Sequence, residues 1–342
     1  MLAGQMSSYD ELPYADNCFH YTHPDHLAAI GTVFGMTVAP SDRCRLLELG
    51  CAQGGNIIPM ALEHPEARFV GIDLSSRQID EGRSVVERLG LQNLDLRAMS
   101  IMDVDQRLGT FDYIVCHGVY SWVPEPVRNK ILAICAESLA PDGIAYVSYN
   151  TYPGWHARGM IRELLGYHVR RTTGALDRVQ QARDFLDELV RVLPDQSDSY
   201  ARILRTEAEL LRTVPNTYVY HEHFEETNHP VYFQEFIGRA RARGLSFLAE
   251  ALTPGMVDDL PREARAVLDG WAEDEIAREQ YFDFLCNRAF RRTLLCHGDA
   301  QRVPRPSPEA IPRMSISTAV LPIPLAPACT RIVSPARRRA LS

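Results

Sequence analysis

Arg45 to Asn56 read RLLELGCAQGGN, a short apolar run that carries one acid, Glu48, and opens into a glycine-rich turn. Further along, FVGIDLS ends a second apolar run in Asp73. A buried strand, a tight turn, a helix and a second strand tipped by a carboxylate form the arrangement with which an α/β sheet holds a nucleoside-bearing ligand. Gly50 and Gly54 let the backbone pass close beneath such a ligand, and the following helix offers free N–H groups near Gly55 and Asn56. Asp73 can accept two hydrogen bonds from ribose hydroxyls, each worth about 1.5–3 kcal/mol.

Glu48, two residues ahead of Gly50, separates S-adenosylmethionine sites from most dinucleotide sites. On this reading the turn receives the methionine portion and the ribose rather than a pyrophosphate. The contacts expected in the turn are Glu48, Gly50, Cys51, Gln53, Gly54 and Asn56. After the second strand they are Asp73, Leu74, Ser75 and Gln78, and after the third Ser100, Ile101 and Met102. Ser100 stands where an acid often bonds the adenine amino group, and Met102 is placed to pack on the adenine ring. Dinucleotide binding is the rival, because Gly50-x-Ala52-x-x-Gly55 fits that turn with alanine substituted.

His117, Tyr120 and Trp122 follow the fourth strand, the usual edge for a reacting group. Methyl transfer is an in-line displacement that needs an aligned, deprotonated nucleophile, and positioning can supply about 7–11 kcal/mol. We expect Tyr120 to orient an amine or hydroxyl and His117 to remove a proton near neutral pH. Packing roles for both are the competing reading. Asn150, Tyr152 and Trp155, around Pro153-Gly154, form a candidate acceptor wall. His221, His223 and His229 invite a metal reading, but no third ligand follows at a recognisable spacing, so no metal is expected there.

The elements that must position these groups alternate between strand and helix. Strands are expected at Leu46–Leu49, Phe69–Ile72, Leu94–Ala98, Tyr113–Cys116 and Ile144–Tyr149, with helices at Asn56–Glu63, Ser76–Leu89 and Val127–Leu139. Such alternation implies parallel pairing and right-handed crossovers. Three amphipathic stretches then follow, Arg158–Arg171, Leu176–Leu193 and Tyr200–Leu211. We predict a strand at Thr217–Phe224, a helix at Val231–Arg243 and a strand at Leu245–Ala251, the two strands completing a seven-stranded sheet whose last member is antiparallel. Pro261–Gly270 and Glu273–Leu295 are read as helices. The expected architecture is thus α/β, a Rossmann-like seven-stranded methyltransferase sheet with a helical insertion and C-terminal helices.

The corresponding divisions are a lid segment over residues 1–42, with Tyr14, Phe19 and Tyr21 as its aromatics and a helix from Pro24, and a cofactor-binding core at 43–155. A helical cap at 156–213 and a segment at 214–299 that completes the sheet follow. Residues 300–342, rich in proline and arginine without a helical or strand period, are expected to be disordered or an aberrant end.

At 342 residues the chain can bury a large core, and its 46% hydrophobic and 23% charged composition is that of an ordinary soluble protein. A net charge of −8 gives no global attraction to nucleic acid or anionic membrane, so neither is expected as a partner. The start of the chain is not a signal peptide, no run is long enough to span a bilayer, and the eight cysteines form no C-x-x-C pair. We expect a cytoplasmic protein with reduced thiols, its oligomeric state left open.

LLELGCAQGGNIIPMA, FVGIDLSSRQIDEG, FDYIVCHGVYSWVP and YVSYNTYPGWHARGM resemble class I S-adenosylmethionine-dependent methyltransferases, specifically the bacterial group with a methyltransferase regulatory domain. PNTYVYHEHFEETNHPVYFQEFIGRARARGLSFLAEA and EQYFDFLCNRAFRRTLLCH resemble that group's regulatory segment. The resemblance runs from about Tyr9 to His297 and implies cofactor contacts at Glu48, Gly50, Gly54, Asp73 and the Ser100 loop. It implies a methyl acceptor, protein or small molecule. Rickettsial protein-lysine methyltransferases that modify outer-membrane proteins are similar in arrangement, which makes a protein lysine one candidate. Members are often longer, with a further carboxyl-terminal domain that completes substrate binding. The competing functions are an NAD-linked oxidoreductase and a catalytically silent, cofactor-binding regulatory protein.

Overall fold

The structure is a computed structural model that describes residues 12, 17–193, 198–252, 261–307 and 309. Its centre is a seven-stranded sheet in the order β3-β2-β1-β4-β5-β7-β6. The strands are β1 (Arg45–Leu49), β2 (Arg68–Asp73), β3 (Leu94–Ala98), β4 (Phe111–Cys116), β5 (Leu139–Asn150), β6 (Leu245–Glu250) and β7 (Phe290–His297). The first five pair in parallel, while β7 runs antiparallel to both β5 and β6. Leu46, Leu47 and Leu49 are fully buried, as a central parallel strand covered on both faces requires.

Helices α1 (Pro24–Val33), α2 (Ile57–Glu63), α3 (Ser76–Leu89) and α4 (Glu125–Ser138) cover the sheet. α3 shows why local sequence suffices in this half. The Ser75 hydroxyl accepts from the Gln78 amide at its start, and Gly90, at φ +68°, ends it in the left-handed region. β1 and β4 lie side by side, with β2 and β3 built to one side and β5 to the other. The strand order therefore reverses between them and leaves a crevice at their carboxyl ends.

Four helices follow β5: α5 (Gly154–His168), α6 (Ala175–Val192), α7 (Ser199–Thr213) and α8 (Asn216–Phe224). They share a separate apolar core that includes Ile161, Leu165, Val179, Leu186, Leu204, Leu211 and Val219. The chain returns through α9 (Phe233–Arg241) to β6, and α10 (Arg262–Trp271) and α11 (Glu275–Cys286) lead into β7.

Two expectations are corrected. Thr217–Phe224 is not a strand but lies in helix α8, where Val219, Tyr220, His223 and Phe224 are buried at helical spacing against α5–α7. The missing strand is β7, inside the stretch read as a helix over Glu273–Leu295. The helix ends at Asn287, which adopts φ +48°. The buried Arg291 then sits in the sheet, held by Asp283 (2.8 and 2.9 Å), Glu250 (2.9 Å) and Glu279 (3.1 Å). The 300–342 division is also modified at its start. Ser307 and Val303 donate backbone hydrogen bonds to Val33 and Phe34 at the end of α1, both at 2.8 Å. Residues 308 and 310–342 lie outside the described residues, as does Tyr14.

Candidate active site

The turn after β1 is drawn against β2 by its backbone. The Gly50 and Cys51 amides both donate to the Ile72 carbonyl, at 2.8 and 3.0 Å. Gly50 has φ +76°, and a Cβ there would stand 2.5 Å from Val119 Cγ2, so both conformation and space demand glycine. Ala52 takes φ +50°, unusual for a residue with a side chain. Its amide donates to Asp73 Oδ2 at 2.9 Å, and the Ser75 amide donates to Asp73 Oδ1 at the same distance. Asp73 thus stands at the carboxyl end of β2 with a backbone donor on each carboxylate oxygen.

Glu48 is buried at the end of β1 beside this turn. Its Oε1 accepts from Asn56 Nδ2 at 2.7 Å, whereas Oε2 is buried without a hydrogen-bond partner. Burial, with a smaller push from Asp73, raises its carboxyl to about 7 against the opposing pull of the Asn56 amide. A buried acid with an unsatisfied oxygen, next to a second acid, is a site for a cation. S-adenosylmethionine, with its ammonium and sulfonium charges, fits these residues. A pyrophosphate would bring negative charge to two carboxylates.

Asn56 also reaches the N-terminal segment. Its Oδ1 accepts from the Phe19 amide at 2.9 Å, and its Nδ2 lies 3.0 Å from Thr22 Oγ1. Phe19 and Tyr21 then pack on His117, at ring-centre distances of 4.0 and 5.6 Å. Two aromatics of the N-terminal segment thus pack against the residue that follows β4. On the far side of the cradle Leu74 and Met102 are 64% and 47% exposed, apolar surface flanking the Asp73 tip. Ser100 uses its hydroxyl to accept from the Met102 amide at 3.2 Å, shaping that loop, while Ile101 is half-buried. Cys51 and Gln78 are buried; Cys51 Sγ fills space against Gly71, and its thiol is pushed up by burial. Gln53 contributes its backbone, whose carbonyl lies where a Cβ on Gly82 of α3 would fall.

The two residues expected to act on the acceptor sit differently from that expectation. Tyr120 is fully buried between Tyr149 and Phe236, at ring-centre distances of 6.0 and 5.2 Å, and its hydroxyl has no hydrogen-bond partner. It packs in the hydrophobic core. His117 directly follows β4, where burial, aided by the charge of Arg292, holds its imidazole down to about 3. It is neutral at pH 7 and too weak a base to take a proton from an ammonium. Its Nδ1 lies 2.8 Å from the Tyr146 hydroxyl and 3.1 Å from Ser148 Oγ, and Ser148 Oγ in turn accepts from the Gly118 amide at 2.8 Å.

Tyr146, Ser148, Phe290 and Arg292 are the site residues that sequence reasoning missed. Arg292 lies over the rings of Tyr21 (4.8 Å) and Phe290 (4.9 Å). The alternation of Tyr146 and Ser148 along β5 was available as a signal. Arg292 was hidden, because its strand was read as helix. In the candidate acceptor wall, Asn150 and Trp155 are buried, Asn150 bonding Asn228 at 3.0 Å, and Tyr152 stacks on His156. His221 is engaged by hydrogen bonds, whereas both ring nitrogens of the buried His223 lack a hydrogen-bond partner. His221 pairs with Glu225 (2.6 Å) and the Leu12 carbonyl (2.7 Å), and His223 faces Glu207 at 3.3 Å.

Residues 46–143 match the methyltransferase domain family, and residues 215–297 match a predicted methyltransferase regulatory domain. The uncharacterised protein RP028 of Rickettsia prowazekii is 39% identical over 241 residues, which cover 70% of this chain and 96% of that protein. The chain belongs to the S-adenosylmethionine-dependent methyltransferases that carry a methyltransferase regulatory domain.

The uncharacterised protein RP789 of the same organism is 44% identical over 292 residues, covering 85% of this chain and 53% of that one. Among solved structures, PKMT2 from Rickettsia typhi in complex with AdoHcy superposes with a TM-score of 0.79 at 38% identity, over 87% of this chain and 57% of PKMT2. The chain thus spans little more than half the length of these two relatives. No helix among the described residues is long and apolar enough to cross a membrane.

Proposed function

We propose that this methyltransferase chain binds S-adenosylmethionine in the crevice between Glu48 and Asp73 and transfers its methyl group to a lysine side chain of a protein. The observation that carries the cofactor half is the buried Glu48 carboxylate with an unpartnered oxygen beside a second acid, which favours a cationic nucleoside over an anionic dinucleotide. The likeness to a structure holding AdoHcy supports it.

The acceptor half rests on the sleeve around His117. Phe19, Tyr21, Tyr146 and Phe290 surround the ring, and Arg292 stands beside them. An aromatic sleeve suits the alkyl stem of a lysine. A neighbouring guanidinium disfavours an ammonium and so favours the neutral amine that displacement requires. S-adenosylmethionine supplies an electrophilic methyl carbon. The acceptor ammonium would give its proton to solvent water; the neutral amine would then take the methyl group, forming the C–N bond as the C–S pair goes to sulfur and the sulfonium becomes a thioether. His117, neutral and anchored through Nδ1, serves to position the amine.

Calorimetry of the purified chain with S-adenosylhomocysteine and with NAD tests the first half, binding being expected for the former alone. Mass spectrometry of a lysate incubated with isotopically labelled S-adenosylmethionine tests the second, with methylated lysines the expected products. Label confined to small amines or hydroxyls would exclude the lysine acceptor.

A further inference from the structure

His23, Asp25 and His64 bring their side chains together at the surface end of α2, and their donor atoms all lie within 4.8 Å of one another. We infer that these three residues bind a divalent transition-metal ion of the zinc type, outside the methyl-transfer crevice. Two of the separations, each to a different oxygen of Asp25, are close to those of ligands on a shared ion. Asp25 Oδ2 is 3.6 Å from His23 Nδ1, and Asp25 Oδ1 is 3.4 Å from His64 Nε2. Two ligands bound tetrahedrally at about 2.0–2.1 Å lie about 3.3–3.4 Å apart.

The surrounding contacts fit the same reading. His23 Nε2 lies 3.1 Å from Glu63 Oε2 without a completed hydrogen bond, a carboxylate within reach of the nitrogen that a metal-bound imidazole would turn away from the ion. That leaves the Nδ1 lone pair toward Asp25, where it receives only a long 3.3 Å contact from the Asp25 amide. His64 Nε2 is buried without a hydrogen-bond partner. Two imidazoles with one carboxylate select zinc, cobalt or nickel over magnesium or calcium. Asp25 is largely exposed, so the remaining position is open to water.

The ion would join two segments that already meet elsewhere. At the other end of α2, Asn56 bonds Phe19 and Thr22 and also Glu48. An ion at His23 and His64 therefore fastens the segment over residues 19–25 to both ends of α2. Metal and cofactor should then strengthen each other's binding; this coupling, unlike the metal site itself, rests on the proposed cofactor reading.

The test uses the full chain without a histidine tag, stripped with a chelator and titrated with Co2+. A visible absorption band of four- or five-coordinate cobalt is expected at one equivalent, displaced by Zn2+. His23→Gln or His64→Gln should abolish it, Glu63→Gln should weaken Co2+ binding 10–100-fold, and the exposed His168→Gln should leave it unchanged. Circular dichroism checks that each variant is folded. No band at saturating Co2+, or a band that survives both histidine substitutions, overturns the site. Should the band form while S-adenosylhomocysteine fails to bind with or without Zn2+, the metal site stands and the cofactor reading falls.

Discussion

The Ala52 amide donates to the Asp73 carboxylate at 2.9 Å, joining the turn after β1 to the tip of β2. Asp73 thereby has two duties. It fixes the left-handed Ala52 that shapes the cradle, and in the proposed site it would accept from the ribose hydroxyls. Asp73→Ala removes both, and two charge-assisted hydrogen bonds are together worth about 3–6 kcal/mol. We expect S-adenosylhomocysteine affinity to fall at least 100-fold by calorimetry, with a lowered melting temperature as well. Asp73→Asn keeps an acceptor for the Ala52 amide, so it should retain more stability than affinity.

Glu48 gives a prediction with a defined pH sense. Its folded value of about 7 lies above the ordinary 4.5, so between these values the folded, unliganded chain holds a proton that the unfolded chain has lost. Its stabilising contribution is therefore full below about 4.5 and is lost as pH rises toward 7. Glu48→Gln should raise unliganded stability at pH 8 by about 2–3 kcal/mol while leaving it little changed at pH 4.5, as read by urea unfolding. A cationic ligand needs the ionised acid, so wild-type affinity for S-adenosylmethionine should weaken as pH falls below 7. In Glu48→Gln the affinity should be low and nearly independent of pH.

Much of this cradle was legible because its signals are local. Glu48, Gly50, Gly54 and Asp73 sit within one strand-turn-helix-strand unit, and Ser75 and Gly90 mark the ends of α3. Legibility failed where partners come from afar. Thr217–Phe224 carries strand-like alternation, yet its buried face is set by three other helices. Arg291 disguised β7, since the acids that neutralise it lie on β6 and α11. The surroundings of His117 were equally hidden, because Tyr146, Ser148 and Arg292 arrive from β5 and β7. Sequence places the histidine just after β4, but its protonation is decided by burial and a distant guanidinium.

Arg291 is also a point of stability. Fully buried, it ties β7 to Glu250 of β6 and to Asp283 and Glu279 of α11. Truncating one partner leaves uncompensated buried charges, which costs about 3–5 kcal/mol. Arg291→Ala should therefore lower the urea midpoint sharply. Joint replacement of Arg291, Glu250, Asp283 and Arg288, the last paired with the same two acids at 3.7 and 2.9 Å, by apolar residues of similar volume should recover part of the loss, which would separate burial of lone charges from loss of the ion pairs themselves.

The acceptor sleeve is tested through Arg292. Burial is the larger cause of the low His117 value, and the Arg292 charge is the second. Arg292→Gln removes the second cause alone, so His117 should move upward toward the ordinary histidine range while staying below it. Nitrogen-detected NMR of the imidazole across pH 3–7 reads this directly. In the same variant an ammonium is less disfavoured in the sleeve, so lysine methylation should need a higher pH to reach half its maximal rate. His117→Asn should lower kcat/KM without removing the acidic limb of the profile, since a group that is neutral throughout pH 5–8 cannot create that limb. Disappearance of the limb in His117→Asn would instead make His117 the group that takes the proton.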